Sequence, residues 1–334
     1  MDILTQGLLG GVLAQSVARK EEKKLATLAG FFSGLLADAD ILIRSSSDPL
    51  LNVEYHRHFT HSLLFIPFGA AIAMILLWPL LRKKISLGRL YLFCLAGFSM
   101  SGVLDACTSY GTHLFWPFSD ARVSWNIISI VDPVFTLILL IALLLGLRLR
   151  QIQAARIGLL LCGLYLGLGF VQLQRAQQAA HELVQLRGHQ TEQHVVKPTL
   201  ANLLLWRSVY ISDEQIYVDA VRLGLFGGFK VFEGESVEQF ILEKELPDLD
   251  MKSQLYADIQ RFMIFSDGYM AYDPGQANVI GDMRYSMLPV SVRPLWGIVI
   301  YPDQPERYTD YQFFRDNSPE NRQAFLNMLF GQGI

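Results

Sequence analysis

The hydrophobic residues of this chain are concentrated in its first half. Four apolar runs approach the length of about 20 residues that a helix needs to cross a bilayer. These runs are residues 62–81, 88–107, 131–147 and 156–174. Two weaker runs, rich in glycine, alanine and leucine, precede them at 3–18 and 25–43. The pattern predicts about six transmembrane helices, of which the first two are short or tilted.

The pattern changes after residue 175. Three segments read as strands because apolar and polar residues alternate between glycines and prolines. They are "QIYVDAVRL" (215–223), "FKVFEG" (229–234) and "RFMIFSDGYMAYD" (261–273). The sequence therefore predicts two domains, a membrane-embedded helical domain over residues 1–175 and a small soluble α+β domain over residues 176–334.

Two helix starts are marked by their capping residues. The final segment, "SPENRQAFLNMLFG", predicts a helix with Ser318 as its N-cap and Pro319 at its first position. The pair Asp132 and Pro133 has the same form at the start of the fifth apolar run, because proline is favoured at the first helical position. Both pairs predict where a helix begins.

Composition supports the assignment to the membrane. Of the 334 residues, 51% are hydrophobic and 18% are charged, and the mean hydropathy is +0.29. A soluble protein of this length has about 25% charged residues. The formal net charge of −3 and the lack of a basic stripe argue against a nucleic-acid partner. Cys94, Cys107 and Cys162 lie in apolar segments, so we expect small core residues, and their spacing excludes a zinc–cysteine knuckle.

Basic residues predict the orientation of the chain. The connections after the first, third and fifth spans contain eleven lysines and arginines, whereas the opposite connections contain three. Those three are Arg44, Arg57 and Arg122. Because basic loops remain in the cytoplasm, we predict a multi-pass protein of the bacterial cytoplasmic (inner) membrane. Both termini and the α+β domain are then extracytoplasmic.

Side chains that bind metals or protons all fall at the outer ends of the predicted spans. The densest group is "EYHRHFTHS" (54–62), and the others are Asp38 and Asp40 in "LLADADIL" and Asp105 and Thr108 in "LDACTSYGT". An unpaired carboxylate in the apolar zone costs roughly 2.5–3.5 kcal/mol, and a divalent cation would offset several of them. Histidine and aspartate together suit zinc, which activates water to hydrolyse an ester or a phosphodiester.

Spacing limits how these residues can meet. His56 and His61 are separated by about 140° around a helix, so we expect His56 on the entering loop and His61 in the first turn. Thr60 is then the predicted N-cap of the third span. Asp38 and Asp40 point to opposite sides of a helix. Either the backbone breaks near Asp38, or one carboxylate is a ligand and the other supports it.

The segment "HRHFTHSLL", with "ADAD" before it and "LDACTSYGTHLFWPFSDAR" after it, resembles the membrane-bound metal-dependent hydrolase family (YdjM-like). The resemblance covers about residues 1–140. It implies a hydrolase with a divalent metal ion, zinc by its donor set, and five metal ligands: Asp38, Asp40, His56, His61 and Asp105. The predicted catalytic residues are Asp40, Arg57 and Thr108, and Arg57 suits an anionic substrate because of its planar fork of donors.

The chain departs from the family pattern at three positions. Gln6 and Ser101 stand where the family usually has histidine, and His58 stands where it has glycine. Glutamine and serine are poor zinc ligands. Three alternatives remain open: one metal of a multinuclear centre is absent, His58 and His113 compensate, or catalysis is lost while the fold is retained.

The sequence thus predicts a metal-dependent hydrolase of the membrane, whose substrate is most naturally a lipid or a lipid-linked molecule that diffuses laterally into the site. The alternative is a non-enzymatic scaffold, sensor or transporter that keeps the fold and has lost part of the metal site. A transporter would place ionisable groups at mid-membrane. Here they lie at one end of the spans, which favours the enzyme.

Overall fold

The structure, a computed structural model, describes residues 1–225 and 227–332. In chain order the helices are α1 (Ile3–Ser16), α2 (Lys23–Leu36), α3 (Leu51–Tyr55), α4 (Ile66–Leu81), α5 (Leu87–Phe98), α6 (Ser101–Ala106), α7 (Pro133–Leu149), α8 (Ile152–Leu186), α9 (Leu242–Glu245), α10 (Gln254–Phe265) and α11 (Pro319–Leu329). Short 3-10 helices occupy Lys20–Glu22, Ala37–Leu42, Phe59–His61 and Leu63–Phe65.

The strands form two antiparallel sheets of four strands each, both in sequential order. The first sheet contains β1 (Gln193–Pro198), β2 (Leu205–Ser212), β3 (Gln215–Leu223) and β4 (Phe229–Glu238). The second contains β5 (Met270–Asp273), β6 (Gln276–Asp282), β7 (Trp296–Val299) and β8 (Asp310–Phe313). Antiparallel neighbours can be joined by two-residue turns, as between β2 and β3 and between β5 and β6, whereas residues 283–295 separate β6 from β7.

The chain forms two compact units. The first, here called the helical unit, contains Met1–Ile43, Tyr55–Val171 and Leu200–Asn202. The second, here called the α+β unit, contains Arg44–Glu54, Gln172–Thr199 and the chain from Leu203 onwards. The segment Arg44–Glu54 therefore packs within the α+β unit, although the residues on either side of it belong to the helical unit.

Within the described residues, four helical stretches are long and apolar enough to cross a membrane. They are Lys20–Leu42, Leu63–Leu81, Leu87–Ala106 and Ile152–Leu186. The apolar helix α7 has 17 residues and α1 has 14. The predicted fold class, a helical membrane domain followed by an α+β domain, is confirmed, whereas the number of six spans stays a prediction.

Glycines bring the helices of the first unit into backbone contact. A Cβ atom on Gly10 of α1 would lie 2.3 Å from the carbonyl oxygen of Gly30 on α2, and one on Gly97 of α5 would lie 2.4 Å from the same oxygen. Only residues without a side chain permit this approach. The three helices therefore meet at Gly30 on α2, the helix that leads into the 3-10 segment carrying Asp38.

Two strand predictions are confirmed and one needs correction. The segments 215–223 and 229–234 lie in β3 and β4. The segment 261–273 is strand only from Met270, because its first residues belong to α10. The buried residues Leu255, Ile259 and Phe262 are spaced by four and three and share one helix face. Residues 261–265 are one arginine followed by four apolar residues, and a window this short does not distinguish a helix from a strand.

The predicted helix starts are also confirmed. Asp132 accepts a hydrogen bond from the backbone N–H of Phe135 at 3.0 Å, with Pro133 at the first position of α7. Ser318 caps α11 in the same way, through the N–H of Asn321.

Candidate metal centre

Asp38 and Asp40 lie where α2 changes into the 3-10 helix Ala37–Leu42. Their carboxylates contact the two ring nitrogens of His61. Asp38 Oδ1 is 3.3 Å from Nε2, and Asp40 Oδ2 is 3.3 Å from Nδ1. The regular α-helix thus ends before Asp38, as the first alternative expects, and the two carboxylates meet opposite edges of one imidazole. Which of them is a ligand stays a prediction.

Asp105 reaches the same imidazole from α6. Its Oδ2 is 3.0 Å from His61 Nε2. The fourth apolar run is divided at Ser99 and Met100, and α6 begins after the break. Gly102 on α6 packs directly on the backbone of His61, and a Cβ atom at this position would lie 1.9 Å from the His61 carbonyl oxygen. This contact holds Asp105 beside the ring.

Asp38, His61 and Asp105 form a buried group whose ligand atoms all lie within 4.8 Å of one another. It is the one group of this kind that occurs in residues 1–225 and 227–332. Asp38 Oδ1, His61 Nε2 and Asp105 Oδ2 are buried and lie at ion-pair distances of 3.0–3.3 Å from one another or from Arg57 Nε, but none of them makes a hydrogen bond of good geometry to a described residue. Buried polar atoms are rarely left in this state. Two carboxylate oxygens and an imidazole nitrogen fit a divalent cation, zinc among them.

Asp40 stands behind His61 and is engaged on several sides. Its Oδ2 accepts hydrogen bonds from the backbone N–H of Arg57 at 2.8 Å and from Thr60 Oγ1 at 2.6 Å. Its Oδ1 is 3.0 Å from His56 Nδ1. A carboxylate at the far nitrogen of a metal-binding histidine fixes the ring and its tautomer. The structure thus places Asp40 and His56 beside the group of three, and their role as ligands stays a prediction.

Thr60 does not cap the third span. Its hydroxyl donates to Asp40, and Ser62 accepts a hydrogen bond from the N–H of Phe65, at 3.3 Å, as the N-cap of the 3-10 helix Leu63–Phe65 that precedes α4. The predicted N-cap was wrong because Thr60 lies inside the earlier 3-10 helix Phe59–His61.

Arg57 is buried against Asp105. Its Nε lies 3.3 Å from Asp105 Oδ2, and its Nη2 donates to the carbonyl oxygen of Met1 at 3.1 Å. The backbone of Arg57 has a φ of 61°, a left-handed conformation that is uncommon outside glycine and often found at functional sites. The amino group of Met1 also contacts Asp105. Arg57 therefore balances the charge of the acidic group.

Thr108 follows the end of α6. Its Oγ1 donates to the carbonyl oxygen of Asp105 at 2.8 Å and accepts from Arg57 Nη1 at 3.4 Å. The hydroxyl thus ties Arg57 to the helix that carries Asp105. The catalytic roles assigned to Asp40, Arg57 and Thr108 stay predictions.

His58 and His113 pack against each other instead of joining the group of three. Their ring centroids are 4.4 Å apart, and Trp116 and Tyr55 lie against His58 at 5.8 and 5.4 Å. Burial, with a further contribution from Arg122, lowers the pKa of His113 to about 4, so this imidazole is neutral at pH 7. The two histidines belong to an aromatic cluster.

Sequence reasoning missed Gly102, which brings α6 against His61. One signal was present: Gly102 lies between two of the singled-out positions, Ser101 and Asp105, in an apolar run. Small residues in such runs mark close helix contacts.

The comparisons with known proteins give one match. A family model described as YdjM inner membrane protein matches residues 1–176, which is more than half of the 334 residues. No curated protein and no solved structure matches the chain.

Proposed function

The chain belongs to the YdjM inner membrane protein family, and on this premise we propose that it is a metal-dependent hydrolase of the membrane. The convergence of Asp38, His61 and Asp105, with ligand atoms within 4.8 Å of one another, carries the proposal. Each of the three residues has one buried ligand atom without a hydrogen bond of good geometry to a described residue. Such atoms are available to hold a divalent cation. The nitrogen and oxygen donors favour zinc.

A divalent ion held by these three residues would polarise the scissile bond and lower the pKa of a bound water to about 7. The chain's own residues prepare the site for this chemistry. Asp40 orients His61 through Nδ1, which leaves Nε2 facing Asp38 and Asp105. Arg57 offsets the charge of Asp105. Hydrolysis adds water across an ester or a phosphodiester bond and yields an acid and an alcohol.

We place the site at the outer face of the membrane, with both termini and the α+β unit extracytoplasmic. The distribution of eleven basic residues against three supports this orientation. A site at a membrane surface is accessible to a lipid or a lipid-linked molecule, and we propose a substrate of that class.

The experiment that tests the proposal is metal analysis of the purified full-length protein in detergent. We expect stoichiometric divalent metal in the wild type and its loss in His61→Ala. His58→Ala is the matched control, because this histidine lies in the aromatic cluster, and it should retain the metal. Hydrolysis of a soluble phosphodiester such as bis-(p-nitrophenyl) phosphate should stop with a chelator and return with zinc. A wild-type protein without stoichiometric metal would contradict the proposal.

The second candidate function is a non-enzymatic membrane scaffold, sensor or transporter. The contact of Arg57 with Asp105 favours it, because it balances part of the acidic charge without a metal. Under this alternative, His61→Ala and Asp105→Ala would insert normally and leave the cellular phenotype intact.

A further inference from the structure

A cavity of about 210 Å³ lies beside Asp40 in the helical unit. All of its lining residues except Asp40 and Thr60 are apolar, and they include Leu36, Phe65 and Ile72. An apolar cavity of about 150 Å³ already binds a benzene molecule. The volume beside Asp40 is thus large enough for several carbons of a hydrocarbon chain.

The polar end of this cavity adjoins the candidate metal centre. Thr60 Oγ1 donates to Asp40 Oδ2 at 2.6 Å, and the same carboxylate oxygen lies 3.3 Å from His61 Nδ1. Asp40 and Thr60 are both buried. A molecule that filled the cavity would therefore have its polar end beside Asp40 and Thr60, and the Asp40 carboxylate would stand between it and the Nδ1 edge of His61.

The other end of the cavity reaches the outer surface of α4. Ile72 lines the cavity and is 44% exposed, and the neighbouring Phe68 and Ile75 are 59% and 64% exposed. These residues belong to Leu63–Leu81, a stretch apolar enough to cross a membrane. On such a helix, exposed apolar side chains face lipid tails. A molecule that enters the cavity at this end would therefore come from the lipid tails around α4.

We propose that this cavity binds one acyl chain of a phospholipid, with the polar part of the lipid at the end formed by Asp40 and Thr60. The binding of the chain rests on the cavity alone, whereas the identification of that lipid as the substrate rests on the proposed function. A cavity with one polar end and one end open to lipid selects an amphiphile over a water-soluble ester.

The test uses the full-length protein in vesicles of phosphatidylethanolamine and phosphatidylglycerol, with a phospholipid that bears a photoactivatable diazirine on one acyl chain. Labelled peptides are mapped by mass spectrometry. Peptides from the exposed face of α7, which contains Leu137 and Ile141, report general contact with lipid. We expect the segment between Phe59 and Ile72 to be labelled more strongly than α7. Equal labelling of the two segments would overturn the proposal.

Filling the cavity provides the decisive variant. Ala39→Phe places a ring in the space, and labelling of residues 59–72 should fall about tenfold or more, because the ring and the chain compete for one volume. Ile72→Trp, which closes the cavity from the other end, should do the same if Ala39→Phe fails to fold. Leu76→Phe is the control on the exposed face of α4 and should change labelling by less than about twofold. Unchanged labelling in a folded cavity variant would overturn the proposal.

His61→Ala separates this proposal from the proposed function. The variant should lose metal and keep the labelling of residues 59–72. Wild-type protein that lacks metal but is labelled at the cavity would contradict only the hydrolase. Protein that holds metal but shows no preferred labelling at the cavity would overturn only the acyl-chain site.

Discussion

Gln6 Nε2 donates a hydrogen bond to the carbonyl oxygen of Ser101 at 3.3 Å. These are the two positions at which the family pattern usually has histidine. Ser101 and Asp105 are four residues apart on α6, and residues at this spacing share a helix face. The two departures from the family pattern are therefore one local feature on the side of the helix that bears Asp105.

This relationship predicts that two substitutions together create a second metal site. In Gln6→His/Ser101→His, the two imidazoles would lie side by side near Asp105, and we expect the metal content to rise from one to two ions per chain. Each single substitution should leave it at one. Gln15→His, on the same helix α1 but hydrogen-bonded to Leu143, is the control. A folded double variant with an unchanged metal content would count against a lost second site.

Gly102 should be intolerant of even one methyl group. In Gly102→Ala the new Cβ would meet the backbone carbonyl of His61, which has no flexible side chain that could move aside. We expect metal affinity to fall by about 10–100-fold, the range seen when the support of a ligand is disturbed. The measurement is a metal titration of the purified protein.

Gly88→Ala is the control for Gly102→Ala, because a Cβ at Gly88 meets open space. In a helix this change is expected to add stability of up to about 1 kcal/mol. Equal metal affinity in the two variants would show that the contact between Gly102 and His61 does not position the ring.

Arg261 should be the main charged anchor of the segment Arg44–Glu54 within the α+β unit. It forms ion pairs with Asp48, Glu54 and Asp258. In Arg261→Met these carboxylates lose their shared partner, and we expect a loss of roughly 2–3 kcal/mol, less than for a fully buried pair. Hydrogen exchange of residues 44–54 and 254–265 should become faster.

Lys244→Met tests whether any lost ion pair would have this effect. Lys244 and Glu214 are 58% and 51% exposed, and exposed pairs contribute about 0.2–1 kcal/mol. The same peptides should then keep their protection. Comparable losses of stability in the two variants would mean that the partial burial of the Arg261 ion pairs does not increase their contribution to stability.

His194 should make the α+β unit sensitive to acid. Burial lowers its pKa from 6.5 to about 4, while Nε2 lies 2.9 Å from Ser208 Oγ. The unfolded chain therefore binds the proton more readily, so the stabilisation is complete above pH 6.5 and is lost as the pH falls towards 4. The loss is at most about 3–4 kcal/mol. Thermal unfolding of wild type and His194→Gln between pH 7 and 4 measures this loss. If the stability of both proteins falls equally with pH, His194 is not the source of the acid sensitivity.

The sequence by itself determined the features that depend on residues close together along the chain. The apolar runs marked the helical half, and the alternation in residues 215–223 identified β3. Asp132–Pro133 and Ser318–Pro319 marked two helix starts, since a cap involves residues only three positions apart. The pattern of apolar residues did not distinguish a helix from a strand between 261 and 265, because a segment shorter than two helical turns fits both.

Only the tertiary structure decided which acidic and histidine residues meet. Asp38, His61 and Asp105 come from three separate elements, and their distances depend on how α2 and α6 pack around the segment that carries His61. The motif alone did not separate His61 from His56 and left the role of His58 open, because proximity in sequence does not determine the direction of a side chain in a turn. Likewise, Glu54 and Arg261 are 207 positions apart, and no local pattern relates them. Contacts of this range follow from the packing of complete elements, which the sequence encodes only through the fold as a whole.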